Sequence, residues 1–162
     1  MDKPPPEKFQ PVTDEIRAAV RKLVAAADHA ALATLEPGTG DPQCTRVGLA
    51  TLADGTPLIL VSGLAAHTPA LAADPRCSLL IGEPGKGDPL AHPRLTLFCR
   101  AEVLAGAALE PARTRYLASH SKAGLYVDLP DFRFIALRVL RGSYNGGFGR
   151  ASLLAAEDII GG

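Results

Sequence analysis

Three cysteines in 162 residues, Cys44, Cys77 and Cys99, are too few and too scattered for a disulfide framework, and their spacing is not that of a metal site. Each falls in an apolar, strand-like run, so the expectation is three buried thiols packing as small hydrophobes. Four histidines, His29, His67, His92 and His120, carry no metal-site signature either. Charge of one sign is also lacking. Seventeen basic and seventeen acidic residues cancel, leaving no overall field that would draw the chain to nucleic acid or a membrane surface. No apolar run approaches the ~20 residues of a membrane helix. The first residues, Met1-Asp2-Lys3-Pro4-Pro5-Pro6-Glu7-Lys8, lack the apolar core of a secretory signal. The expectation is a cytoplasmic protein with neither nucleic acid nor membrane as partner. No glycine-rich phosphate loop follows the first strand, no repeat is present, and no Ser/His/Asp or Cys/His nucleophile arrangement emerges from the spacings.

What is present suits one domain with a real core: 162 residues, 47% of them hydrophobic. Four prolines in the first eleven residues predict a flexible proline-rich arm over 1–12, with the folded domain at 13–162. Thr13 is a good N-cap, Asp14 and Glu15 suit the positive end of a helix, and Ile16, Val20, Leu23, Val24 and Ala27 form one apolar stripe. Ala30 to Leu35, Gln43 to Leu52 and Thr56 to Val61 read as three strands in meander order, the last two joined by the Asp54-Gly55 hairpin signal. Ser62 to Ile81 reads as a polar crossing, a short helix closed by Asp74-Pro75, and a strand from Cys77. Gly82 to Pro93, rich in glycine and proline, is a long exposed loop.

Arg94 to Leu104 shows the cleanest period-two pattern in the chain, with Phe98 making its second face partly apolar. Glu110 to His120 reads as a helix, Asp131 to Tyr144 as a last long strand, and the remaining tail as a helical turn. About six strands joined mostly by tight turns, with three helices at the ends or between strands, predict a mainly β (α+β) fold. The specific expectation is a six-stranded antiparallel split barrel with peripheral helices.

The crossing holds Ser62, His67 and Thr68, residue types that hold an anion where a helix begins, although Ser and Thr before a helix are also ordinary caps. Arg46 stands one hairpin away in Cys44-Thr45-Arg46-Val47-Gly48-Leu49. Its guanidinium can reach the same anion as Thr68, or it is an outward-facing strand charge. Gly48 in mid-strand marks either a close approach by a ligand or another element, or a bulge. Arg94 opens its strand directly after the long loop and is the third basic candidate.

Taken together, several motifs resemble the pyridoxamine 5'-phosphate oxidase-like FMN-binding split barrels. They are Arg46-Val47-Gly48-Leu49-Ala50, Asp54-Gly55, Leu60-Val61-Ser62, His67-Thr68, Asp74-Pro75-Arg76 and Arg94-Leu95-Thr96-Leu97. Ser62 to Thr68, Asp74 to Leu80, Gly87-Asp88-Pro89-Leu90, Arg115-Tyr116-Leu117, Asp131-Phe132 and Gly146 to Ala151 place the chain nearest the branch with heme-utilisation proteins. The resemblance implies a homodimer with FMN at the subunit interface and flavin-dependent oxidoreductase chemistry on an unidentified small-molecule substrate. Arg46, Val47 and Gly48 would lie along the flavin and its phosphate, Ser62 at the flavin edge, His67 and Thr68 at the phosphate, and Arg94 near the FMN.

The sequence also departs from the oxidase. His67-Thr68 replaces an Arg-Lys pair, which lowers the fixed positive charge and predicts weaker FMN binding. The closing Arg-x-His substrate motif is replaced by Asn145-Gly146-Gly147-Phe148-Gly149-Arg150, which argues against pyridoxamine phosphate as substrate. Heme-degrading members of the related branch carry further C-terminal sequence with heme contacts. The alternative on the same scaffold is a heme-binding or heme-handling protein, for which His92 or His120 would serve the iron.

Overall fold

A computed structural model describes residues 9–161. The predicted arm therefore lies largely outside the described residues; within them, the Gln10 amide donates to the Ala151 carbonyl at 2.7 Å. Thr13 caps the first helix, α1 (Asp14–Ala26), its hydroxyl accepting from the Ile16 amide, and Val20 and Val24 of that helix enter the main core.

The strands are β1 (His29–Leu35), β2 (Pro42–Gly48), β3 (Ala50–Thr51), β4 (Pro57–Ser62), β5 (Arg76–Ile81), β6 (Arg94–Val103), β7 (Phe132–Asn145) and β8 (Ala151–Ala155). Between them stand α2 (His67–Ala73) and α3 (Leu109–Ser119), and α4 (Ala156–Ile159) follows β8. All pairings are antiparallel, in the order β2-β1-β5-β6-β7-β4-β3, with β8 added beside β7. The two ends of that path, β2 and β3, are separated in the chain by Leu49 alone. The sheet is thus a ring of six strands, one of which is broken in two. The Leu49 amide donates to the Asp28 carbonyl and its own carbonyl accepts from His120 Nε2, so both peptide groups at the break are satisfied.

The sequence expectation of one continuous strand over 43–52 needs correction, and the tail holds the expected helical turn, α4, only after a strand that the sequence did not suggest. The first run breaks at Leu49, and Ala151–Ala155 is a strand whose Ser152 and Leu154 face inward. Gly48 ends β2 rather than standing mid-strand. A Cβ there would lie 2.5 Å from the Tyr116 hydroxyl, so the close approach is by α3 and not by a bulge. Cys77 and Cys99 are buried as expected, whereas Cys44 is exposed on the outer side of β2.

Alternation assigns the faces. Leu32, Val47, Ile59, Leu79, Leu97, Ile135 and Leu137 point into the barrel. Leu58, Phe134 and Ala136 point outward, and α3 with the turn after it covers them through Ala112, Tyr116, Ala123 and Val127. This explains why β7 reads as a continuous apolar run over 134–137: both of its faces are packed. Among the described residues, the outer face of β2, β1, β5 and β6 has no such cover.

Candidate functional site

Two cavities open on the uncovered face. The outward row nearest α1 runs Arg46, Ala31, Leu80, Thr96 across β2, β1, β5 and β6, each residue facing the next in register. The adjacent row runs Cys44, Ala33, Ser78, Phe98 and, on β7, Arg141. The first row borders a cavity of about 460 Å³ whose walls include Leu23 of α1, Ala27 just after it, Ala31, Arg46, Leu80 and His29. The second borders one of about 300 Å³, where the Arg141 guanidinium lies 3.6 Å above the Phe98 ring.

His29 stands between two carboxylates in the wall of the larger cavity. Its Nδ1 is 2.5 Å from Asp28 Oδ1 and its Nε2 is 2.8 Å from Glu83 Oε1. Carboxylates only accept, so both ring nitrogens carry protons, and the bond to Asp28 followed by that to Glu83 raises the imidazole's proton affinity. His29 thereby ties the start of the 82–93 loop to the end of α1. His92 donates Nε2–H to the Lys86 carbonyl, and Arg94 donates to the Leu90 and His92 carbonyls. Arg94 and His92 border a smaller cavity that shares Leu80, Gly82 and Pro84 with the first.

The predicted anion site divides in two. Ser62, His67 and Thr68 are brought together, but their donors are turned on the protein itself. The Thr68 hydroxyl donates to the Ser62 carbonyl, Ser62 Oγ donates to Asp131 Oδ2 at 3.1 Å, and it accepts from the Leu64 amide. His67 is buried, its Nδ1 is 3.0 Å from the Thr45 hydroxyl, and burial lowers its proton affinity. Thr45 and Val47 share one side of β2 and Arg46 takes the other, so Arg46 borders the α1 cavity while His67 bonds to Thr45. Val47 is in the core, and Gly48 packs beneath Tyr116. His120, stacked on Tyr116 with ring centroids 4.5 Å apart and bonded to Leu49, holds the fold together.

Sequence reasoning missed Thr45, Asp131 and the Asp28-His29-Glu83 cluster. Period-two alternation around Arg46 carried the signal for Thr45; nothing local announced Glu83 beside His29, 54 residues away.

The two histidines are expected to titrate in opposite directions. In histidine NMR spectra, His29 should have its midpoint above the usual value near 6.5 and His67 below it. The signs follow for stability. The His29 contribution is complete below about pH 6.5 and fades as the pH rises through its folded value, whereas the His67 contribution is complete above about 6.5 and is lost on acidification. Two midpoints on the same side of 6.5 would contradict the bonding described.

The sequence profile of the family described as Pyridoxamine 5'-phosphate oxidase matches residues 16–146, from α1 to the end of β7. The chain belongs to this family. A relative from Arabidopsis thaliana, the chloroplastic non-canonical heme oxygenase HOZ, is 38% identical over 120 residues, 73% of this chain and 36% of that protein. The solved structure of a heme binding protein from Mycobacterium smegmatis is 35% identical with a TM-score of 0.83, covering 93% of this chain and 61% of that one. The chain therefore spans less than two thirds of either. Campylobacter jejuni ChuZ, 16% identical with a TM-score of 0.79, shares the fold. The family's split barrel and the relation to heme-utilisation proteins stand as the sequence suggested. Among the described residues, no helix is long and apolar enough to cross a membrane.

Proposed function

We propose that this family member binds heme on the uncovered sheet face, with a second copy of the chain completing the site. The observation that carries this reading is that the Ser62 and Thr68 hydroxyls donate to the protein itself and that burial holds His67, bonded to Thr45 through Nδ1, toward its neutral form, which leaves little positive charge there for a phosphate dianion. This speaks for heme over an FMN phosphate at the place that the family resemblance gives it.

A flat, apolar dicarboxylate fits the other face. Leu23, Ala27, Ala31 and Leu80 supply an apolar wall, and the exposed Arg46 at its rim would take a carboxylate. The 38% and 35% identities to proteins described by heme chemistry support the choice of ligand. Heme would supply an iron centre there; the chain's part is to bury the macrocycle and orient it by its carboxylates. His120, stacked on Tyr116, does not line this cavity, and His92 borders the adjoining one.

Hemin titration is expected to give a Soret band with saturable binding. Arg46→Ala should weaken it about 10- to 100-fold, the loss of a charge-assisted hydrogen bond, with far-UV circular dichroism unchanged. Absence of a Soret band, or a yellow protein that takes up FMN and not hemin, would return the assignment to the flavin.

A further inference from the structure

Strands β6 and β7 pair in step from Val103 to Cys99, which faces Val139, and there the register slips. Continued unchanged, it would set Phe98 against Leu140 and bring Arg141 opposite Leu97, on the inner row of the barrel. A β-bulge intervenes: Phe98 pairs with Arg141, and Leu140 is left without a partner. Leu140 and Arg141 therefore both stand on the outer side, with the buried Val139 before them and Gly142, opposite Leu97, after them. One extra residue has turned a guanidinium away from the core and onto the rim of the cavity of about 300 Å³. Bulges are common beside binding sites, where they re-aim a side chain in this way.

Stacking holds Arg141 in place, its guanidinium 3.6 Å from the centre of the Phe98 ring. It makes no ion pair and no side-chain hydrogen bond among the described residues, so its N–H donors are free at the edge of the stack. The Ser78 hydroxyl, opposite Phe98 in the same row, also has no hydrogen-bond partner among them. Ala33, Leu35, Pro42 and Leu140 supply apolar walls. On the next outward row Arg76, Arg100 and Arg138 face one another across β5, β6 and β7; Asp74 pairs with Arg76 and Glu102 with Arg138. Counting Arg141, four guanidiniums stand against two carboxylates, and both carboxylates are already engaged.

We propose that the Phe98–Arg141 cavity binds a small apolar carboxylate, aromatic or aliphatic, with its carboxylate on Arg141 and its apolar body against Leu35, Pro42 and Leu140.

Three considerations select this ligand. The planar fork of a guanidinium matches a carboxylate in two parallel hydrogen bonds, and the excess of arginine on this part of the sheet disfavours a cation. Apolar walls with one or two polar groups suit an organic acid, whereas an inorganic anion would leave those walls bare. The cavity is near the lower end of the range of ligand pockets, about 300–1,000 Å³, so the acid is small. No residue lines both this cavity and the one at Arg46, so the site is separate from the one read as taking heme.

The test uses 2-naphthoate and the full chain. Titration followed in 1H–15N spectra is expected to give saturable shifts concentrated at Ser78, Phe98, Leu140 and Arg141. The neutral isostere 2-naphthamide should bind about 10-fold more weakly or worse, the loss of a charge-assisted hydrogen bond. Arg141→Met keeps an apolar stem and removes the charge, and should bring the affinity for the acid down to that for the amide. Equal affinities for acid and amide, unchanged naphthoate binding by Arg141→Met, or shifts confined to the Arg46 cavity would overturn the proposal. So would shifts at the four residues that follow dilution of the protein rather than addition of the acid, because a second copy would then be filling the cavity. The comparison of acid with amide uses the unaltered chain and decides alone if the variant fails to fold. Hemin is absent from every arm, so failure here is distinct from failure of the heme reading.

Discussion

Leu97→Ala is expected to cost about 2–5 kcal/mol of unfolding free energy, a large share of the 5–15 kcal/mol typical of a domain. Leu97 is fully buried at the centre of β6, facing Leu79 on one side and Gly142 on the other. Gly142 has no side chain to relax into a void. The space its Cβ would need is filled by Ile159 Cδ1, 2.8 Å away, and Leu97 Cδ2, 3.4 Å away. Three paired strands fix the backbone around the missing methyl groups, so collapse is limited and the cost falls toward the upper end. Urea unfolding should show a lower midpoint with an unchanged slope. Val103→Ala on the same strand is the control: Val103 is 60% exposed, and its change should stay within about 0.5 kcal/mol. Equal losses for the two variants would refute the placement of the core.

Gly48→Ala should destabilise by about 1–3 kcal/mol through overpacking, and Tyr116→Phe should recover most of it. The added Cβ meets the Tyr116 hydroxyl at 2.5 Å. That ring cannot swing aside, since it is buried, stacked on His120 and edge-on to Phe134 with centroids 5.7 Å apart. Removing the phenolic oxygen relieves the contact without moving the ring. Thermal melts of the two single variants and the double variant should give a coupling energy of about 1 kcal/mol or more. Simple additivity would mean that Gly48 is required for backbone freedom instead.

How far the fold was legible depended on where the stabilising contacts lie. The α1 stripe and the alternation in β6 are local patterns, and both elements formed at their predicted places. The β8 strand was not legible. Ala151-Ser152-Leu153-Leu154-Ala155 has little strand propensity, and it exists as a strand because β7 offers an edge and Arg17 and Arg21 hold the helix after it, through Asp158 and the Glu157 carbonyl. Cys44 read as buried because its neighbours are apolar, but a single step of alternation decides its side of the sheet.

The candidate site was legible by residue type and not by geometry. Ser62, His67 and Thr68 were visible as donors, yet only coordinates reveal that Thr45, Asp131 and the Ser62 carbonyl already occupy them. Arg46 was visible as a charge in an apolar strand, while its wall of alanine and leucine is assembled from α1, β1 and β5.

The break at Leu49 makes the barrel a bracelet with a clasp. At that point the two arcs are joined by the chain itself and steadied by the Leu49–Asp28 and His120–Leu49 hydrogen bonds, whereas the β1–β2 and β4–β7 seams are ladders of paired residues. Bending between the arcs is therefore concentrated at one point, beside α3 and at the far end of β2 from its hairpin turn. Slow exchange with solvent deuterium should reach the Leu49 amide before those at the middle of β6, and the barrel would open there as a hinge rather than melt as a whole.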